Sequence, residues 1–280
     1  MTEKRIVLIT GCAGGIGMAL VKKFISKNYV VIATMRRMNE RKSLYQQISS
    51  ENLFLKELDI ASQSQIEALI SWIKSDLGKL DILINNAGYG VYGLYEDLSV
   101  NDMRKQFETN VFGTFALTQA CLPLLKNGQL FVVSSIIGRV PMAMASAYCS
   151  SKYALEGLYE TASFELRYHG IETCLIGPGK FKSEFTKNLV FPEKYQKAQE
   201  SIPYQKLREN LHNVESSRGA EPEQVARKIY NLSLKKKLPL RVAVGYDAMA
   251  MSLLESILPH RLFFALLDFA YRFALGVRRR

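Results

Sequence analysis

Short runs of branched apolar side chains recur along the first two-thirds of the chain. Each is followed by a stretch in which apolar residues return every three or four positions. RIVLIT (5–10), YVVIAT (29–34), NLFLKELDI (52–60), KLDILINNAG (79–88), GQLFVVSS (128–135) and IETCLIGPG (171–179) predict strands. GIGMALVKKFISKN (15–28), SQIEALISWIKSDLG (64–78) and the stretches 101–125 and 145–168 predict helices between them. Strands that are apolar without alternation are covered on both faces, so the sheet is parallel and the expected fold is a doubly wound α/β domain. After Gly179 the periodicity fails. Residues 180–220 are polar and rich in Lys, Glu and Gln, the pattern of a variable segment that covers a binding site. The alternation resumes with a helix at 221–234, Pro222 in its first turn, and a short strand RVAVG at 241–245. A single domain with an amphipathic helical tail at 247–280 is expected.

Composition agrees with a folded chain: 48% of the 280 residues are hydrophobic and 22% charged, enough for one sizeable core. The net charge of +11 raises the question of nucleic acid. The basic residues are dispersed, apart from Lys235 to Lys237 and the last three arginines, and no nucleic-acid-binding motif accompanies them. No nucleic-acid partner is expected; anionic small ligands or anionic lipid suit the charge better. His169, His212 and His260 are scattered, so no metal site is expected. Cys12, Cys121, Cys149 and Cys174 form no CxxC pair and read as thiols of a reducing compartment. The opening MTEKRIVLIT has an apolar run of strand length only and does not read as a signal peptide. Together these give a cytoplasmic expectation.

The loop TGCAGGIG (10–17) leaves the first strand and opens the first helix. Glycines at 11, 15 and 17 let the backbone approach a pyrophosphate, and the helix N-terminus offers free amides. The spacing is G-x-x-x-G-x-G rather than G-x-G-x-x-G, and a glycine-rich turn alone is a weak signal. The second strand ends in Met35, Arg36 and Arg37. An acid there would take the ribose hydroxyls of NAD; arginines accommodate the additional phosphate of NADP. The sequence therefore favours NADP(H), with NAD(H) the alternative and Arg36 the main contact.

Tyr148 and Lys152 stand four apart in the helical stretch AYCSSKYAL and share one helix face. An ammonium near a phenol favours the phenolate and so makes the hydroxyl a better proton donor. By itself such a pair is more often surface decoration. The surrounding motifs change that reading. TGCAGGIG, NNAG at 85–88, NVFG at 110–113, Ser135, the Tyr148/Lys152 pair and GPG at 177–179 fall in the order found in the short-chain dehydrogenases/reductases, which the chain resembles over about residues 5–183. YVVIATMRR and AYCSSKYALEG resemble most the hydroxysteroid and retinol dehydrogenase branch.

The resemblance implies a Rossmann-type domain with Asn110, Ser135, Tyr148 and Lys152 as catalytic residues, Ser135 being the serine thirteen positions before the tyrosine. It implies cofactor contacts from Gly11, Cys12, Gly15, Ile16, Gly17, Arg36, Arg37, Asp59, Ile60, Asn86, Ala87, Gly88, Tyr148, Lys152, Pro178, Gly179, Phe181 and Ser183. Ser183 stands where the family often has threonine. Asn110 would anchor a water that relays protons to Lys152. The activity implied is NADP(H)-dependent interconversion of a hydroxyl and a carbonyl on a lipophilic small molecule of steroid, retinoid, fatty or sphingoid type. A 3-oxoacyl thioester reductase and a non-catalytic NADP-binding sensor are the alternatives. A homodimer formed through the two long central helices is the usual family assembly. Tyr89, Tyr92 and Tyr95 read either as the floor of a pocket or as surface turn residues.

The end of the chain, SILPHRLFFALLDFAYRFALGVRRR, crowds apolar residues around much of a helix but is interrupted by Asp268 and Arg272. From Leu262 to Val277 it is shorter than the ~20 apolar residues of a membrane span. Three readings stay open: packing on its own domain, a partner contact, or an interfacial helix with Arg278 to Arg280 on anionic lipid, a peripheral membrane contact.

Overall fold

Six apolar runs and RVAVG form one sheet in the computed structural model, which describes residues 4–46, 48, 50–181, 189–192, 194–195, 204–206, 209 and 221–275. Its strands are β1 (Ile6–Ile9), β2 (Val30–Met35), β3 (Leu53–Glu57), β4 (Ile82–Asn85), β5 (Gln129–Val133), β6 (Glu172–Pro178) and β7 (Arg241–Val244). All pair in parallel, in the order β3-β2-β1-β4-β5-β6-β7. This is the doubly wound α/β fold that the apolar runs predict. The order reverses between β1 and β4, and the carboxyl ends of strands at such a switch point border a crevice.

The helices are α1 (Gly15–Ile25), α2 (Gln63–Asp76), α3 (Val100–Phe107), α4 (Thr114–Cys121), α5 (Ser146–Leu166), α6 (Pro222–Ser233), α7 (Tyr246–Ile257) and α8 (His260–Leu275). Successive strand residues point to opposite faces, so Val7 and Ile9 join one core cluster with Leu20, Phe24 and Ile229, while Ile6 and Leu8 join the other with Ile66, Leu117 and Tyr159. Every residue of β1, β4 and β5 is buried, which is why these strands carry no polar alternation. Each such side chain removed from water contributes roughly 1.5–3 kcal/mol. Ser99 starts α3 with a capping box completed by Asp102, satisfying two helix-end donors.

The sequence differs from the structure in two places that bear on the site. The single helix expected at 101–125 is interrupted by a π-helical turn, Glu108–Gly113, between α3 and α4. Asn110, Val111 and Gly113 are buried in this turn. The tail is two helices, α7 and α8, parted at Leu258 and Pro259 because proline cannot continue the ladder of the preceding helix. Of the segment 180–220, the described part folds back on the loop after β4. Val190 bridges Val91, and the Tyr204 hydroxyl donates to Asp97 at 2.8 Å and accepts from Leu94 N. Ser183 lies outside the described residues.

Candidate active site

β1 ends in a turn that returns the backbone onto itself. Gly11 has φ +70°, and a Cβ at Gly17 would stand 2.3 Å from the Gly11 carbonyl oxygen; only glycine gives this closeness and leaves the amides at the start of α1 open. Asn86 ties the loop to β4. Its side-chain amide donates to the Thr10 and Gly11 carbonyls at 2.8 and 3.2 Å, while the Thr10 hydroxyl accepts from Asn86 N and Ala87 N.

These elements wall a cavity of ≈750 Å³ along the carboxyl edge of the sheet. Gly11, Gly15, Ile16, Gly17, Arg36, Arg37, Asp59, Ile60, Asn86, Ala87 and Gly88 all line it, as the sequence anticipates. Its size and the glycine cradle fit a dinucleotide. The Asp59 carboxylate is held by Ala61 N at 3.0 Å. No carboxylate stands at the end of β2. Glu57, on the neighbouring strand, accepts from Met38 N at 3.3 Å and does not line the cavity. Arg36 and Arg37 are exposed at its rim.

Cys12, Tyr148, Lys152, Pro178, Gly179 and Phe181, also expected as contacts, do not line this cavity. Cys12 is fully buried, with its thiol donating to the Ile9 carbonyl and its own backbone engaged by Thr34 and Tyr45. Burial pushes that thiol up to about 12, so it offers the cavity neither backbone nor thiolate. Phe181 packs in the core cluster beside Val244 and Gly245 rather than on the cavity wall. Pro178 and Gly179 end β6, with the Pro178 carbonyl 3.5 Å from the Ser135 hydroxyl and Gly179 N bonded to Val244.

Behind Gly88 the sequence motifs converge. α5 carries Tyr148 and Lys152 on one face, both buried, with the ammonium 5.8 Å from the tyrosine ring centre. Ser135, which caps the turn after β5, hydrogen-bonds the Tyr148 hydroxyl. The neighbouring Ser134 hydroxyl is buried with no hydrogen-bond partner among the described residues, so the thirteen-residue spacing selects the serine that reaches the tyrosine. Lys152 Nζ donates to the Val133 carbonyl at 2.8 Å and comes within 3.8 Å of where a Gly88 Cβ would be.

Burial dominates both titrations. It raises the Tyr148 pKa above the ordinary phenol value, against a smaller lowering by Ser135. It lowers Lys152 to about 8, with the Glu156 carboxylate opposing. The expected acidification of the phenol by the ammonium is not the leading influence among the protein's own groups, because both are taken out of water together.

Asn110 sits in the π-helical turn. Its Nδ2 donates to the Tyr89 carbonyl and the Ser151 hydroxyl, each at 3.0 Å, and its Oδ1 accepts from Tyr89 N at 3.1 Å. Gln106, which the sequence reading passed over, is its partner in this brace. Fully buried, it donates to the Tyr89 carbonyl at 2.8 Å and accepts from Val91 N at 2.7 Å. The signal was available: a glutamine four positions before Asn110 shares its helix face. Gln106→Leu strips partners from buried backbone groups and is expected to cost about 1–3 kcal/mol and to weaken dinucleotide binding. Thermal unfolding with and without nucleotide checks this, and an unchanged melting temperature refutes it. Lys105, Glu108 and Thr109 also line the cavity and were missed; Glu108 and Thr109 belong to the π turn.

Tyr148 is packed in an apolar cluster. Tyr92, Ile137, Met144, Tyr148 and Tyr204 form one buried cluster, with Leu189, Phe191 and Tyr195 packed against it. Tyr92 stacks obliquely on Tyr148 at 5.9 Å. The three tyrosines after NNAG thus divide: Tyr92 joins that cluster, Tyr89 lines the cavity, and Tyr95 is exposed. All four cysteines are free and buried, and no group of metal-ligating side chains occurs among the described residues.

A parallel sheet with its switch-point cavity, glycine loop and buried Tyr/Lys pair defines the Rossmann-type oxidoreductases. The chain belongs to the short-chain dehydrogenases: the family pattern, described as short chain dehydrogenase, matches residues 5–194. Retinol dehydrogenase 8 of Homo sapiens is 32% identical over 257 residues, 85% of this chain and 80% of that protein. Probable short-chain type dehydrogenase/reductase VdlC of Helicobacter pylori is 30% identical over 257 residues, 91% of this chain and 93% of that protein. Among solved structures, a short-chain dehydrogenase from Streptomyces avermitilis matches with a TM-score of 0.78 at 26% identity, covering 99% of this chain and 100% of that one.

Proposed function

We propose that the protein is an NADP(H)-dependent oxidoreductase interconverting a hydroxyl and a carbonyl on a lipophilic small molecule, with Tyr148 as the acid and base. The observation that carries this reading is the buried Tyr148 hydroxyl, hydrogen-bonded by Ser135 and packed in an apolar cluster, with Lys152 one turn along the helix beside Gly88 on the wall of a dinucleotide-sized cavity.

The dinucleotide, when bound, supplies or accepts the hydride; the chain supplies the proton and the environment. The phenol gives a proton to the reduced oxygen, or takes one from an alcohol. The Ser135 hydroxyl donates to the same oxygen and steadies its developing charge. Lys152, anchored on the Val133 carbonyl and close to Gly88, has N–H groups left to donate to a ribose hydroxyl of the bound dinucleotide. The Asn110 side chain is engaged by Tyr89 and Ser151, so a relay water would be held by its backbone carbonyl instead. Arg36 and Arg37, with no acid at the end of β2, support NADP over NAD.

The groups packed around Tyr148 are aromatic and aliphatic, which favours an apolar substrate; a relative at 32% identity is named a retinol dehydrogenase. Exposed Phe112, Phe115 and Phe164 on the central helices support pairing of two copies.

NADPH oxidation against retinoid, steroid and long-chain ketones tests the reading. Binding without turnover on any carbonyl would favour a sensor, and turnover confined to 3-oxoacyl thioesters would favour that reductase. Arg36→Asp is expected to shift the ratio of NADPH to NADH affinities by about one to two orders of magnitude toward NADH. Titration of both nucleotides against the two proteins reads it, and an unchanged ratio removes Arg36 as the phosphate contact.

A further inference from the structure

α7 and α8 each turn an apolar face away from the protein. On α7, Tyr246, Met249, Leu253 and Ile257 fall on one stripe and are 57–90% exposed. Its inward side carries buried Ala248 and Glu255, whose carboxylate pairs with Arg139. α8 has two apolar stripes. Phe263, Leu267 and Tyr271 face the domain, and the Tyr271 hydroxyl donates to the Pro141 carbonyl at 3.0 Å. Leu262, Leu266 and Phe269 form the other stripe and are 57–74% exposed. A surface helix needs one apolar stripe; the additional ones mark an interaction surface.

We propose that these outer faces lie on an anionic lipid surface. Neither helix can cross a bilayer: they have 12 and 16 residues against the ~20 required, and no described helix is long and apolar enough to do so. A helix of this kind lies in the interfacial plane. The charges select the occupant. All three carboxylates of the two helices are engaged within the protein: Asp247 by Lys180 N, Glu255 by Arg139 and Asp268 by Arg272. Arg261 has no ion pair among the described residues, and the sequence ends in three arginines. Against an anionic leaflet each such cation gains about 1 kcal/mol. A second copy would instead meet the same excess in a chain of net charge +11.

The surface does not depend on the catalytic reading, since vesicles can be bound whether or not any carbonyl is reduced. The test is co-sedimentation of the full chain with phosphatidylcholine vesicles, with and without phosphatidylserine, beside the variant Leu253→Glu/Leu266→Glu/Phe269→Glu. All three positions are exposed, and unchanged thermal unfolding certifies the fold. The full chain is expected to sediment with phosphatidylserine vesicles and to be released by salt, and the variant to lose at least about tenfold in partitioning. Equal partitioning of the two proteins overturns the proposal. So does a full chain that ignores both vesicles, or one that forms a dimer the variant splits without any vesicle binding; the latter would make the face a contact between copies.

Discussion

Tyr148→Phe is expected to cut carbonyl reduction by about 10²–10⁴-fold while leaving dinucleotide affinity nearly intact. The ring, its burial and its packing on Tyr92 survive the change; only the hydroxyl that Ser135 addresses is lost. Steady-state NADPH oxidation and nucleotide titration by fluorescence, done on the same preparations, separate the two effects. An active variant would remove Tyr148 as the proton donor. The direction of its pKa also fixes a pH dependence. Burial raises the phenol, so it stays protonated from acid through neutral pH and reduction should be flat there. Alcohol oxidation needs the ionised form and should climb as pH rises. Oxidation that is fastest in acid would contradict the assignment.

Lys152→Met is expected to abolish turnover and at the same time to make the protein more stable at pH 7. Burial lowers the ammonium from 10.5 to about 8, so the folded state holds this proton less tightly than the unfolded chain. The sign follows: the charge penalises folding in full below pH 8, and the penalty is relieved as pH rises from about 8 to 10.5. At neutral pH it amounts to a few kcal/mol at most. Leaving the Val133 carbonyl without its donor returns about 1 kcal/mol of that. Thermal melts without added nucleotide should show Lys152→Met a few degrees higher at pH 7 and the gap closing toward pH 10. A lower melting temperature at pH 7 would mean that the ammonium stabilises the fold, contrary to its environment.

The strands were legible because β1, β4 and β5 are buried on both faces and so appear as unbroken apolar runs. The glycines and the Tyr148/Lys152 pair stood out in the sequence because each group falls within one loop or one helix turn, whereas Asn86 and Asp59 were implied only by the resemblance to the family. Cys12 could not, since its neighbours in the loop gave no sign that Tyr45, far along the chain, would claim its carbonyl. The titration of Tyr148 was also hidden: the sequence shows the ammonium nearby but not that both groups share a dry site. The π turn escaped for a similar reason. A one-residue irregularity leaves the apolar periodicity of 101–125 nearly unchanged, yet it decides which side chains reach Tyr89. Val190 lines the cavity from a stretch without periodicity, where pattern carries no signal.

The π turn has a consequence for how the two halves of that long helix are constrained. Upstream, Gln106 holds the loop after β4; downstream, Thr118 hydrogen-bonds Asn85 and Tyr159 in the dry interior. A surplus residue rotates one half relative to the other by roughly 100°. Each half can therefore meet its own neighbours without a compromise in azimuth, and sequence drift on the coenzyme wall need not propagate into the aliphatic floor.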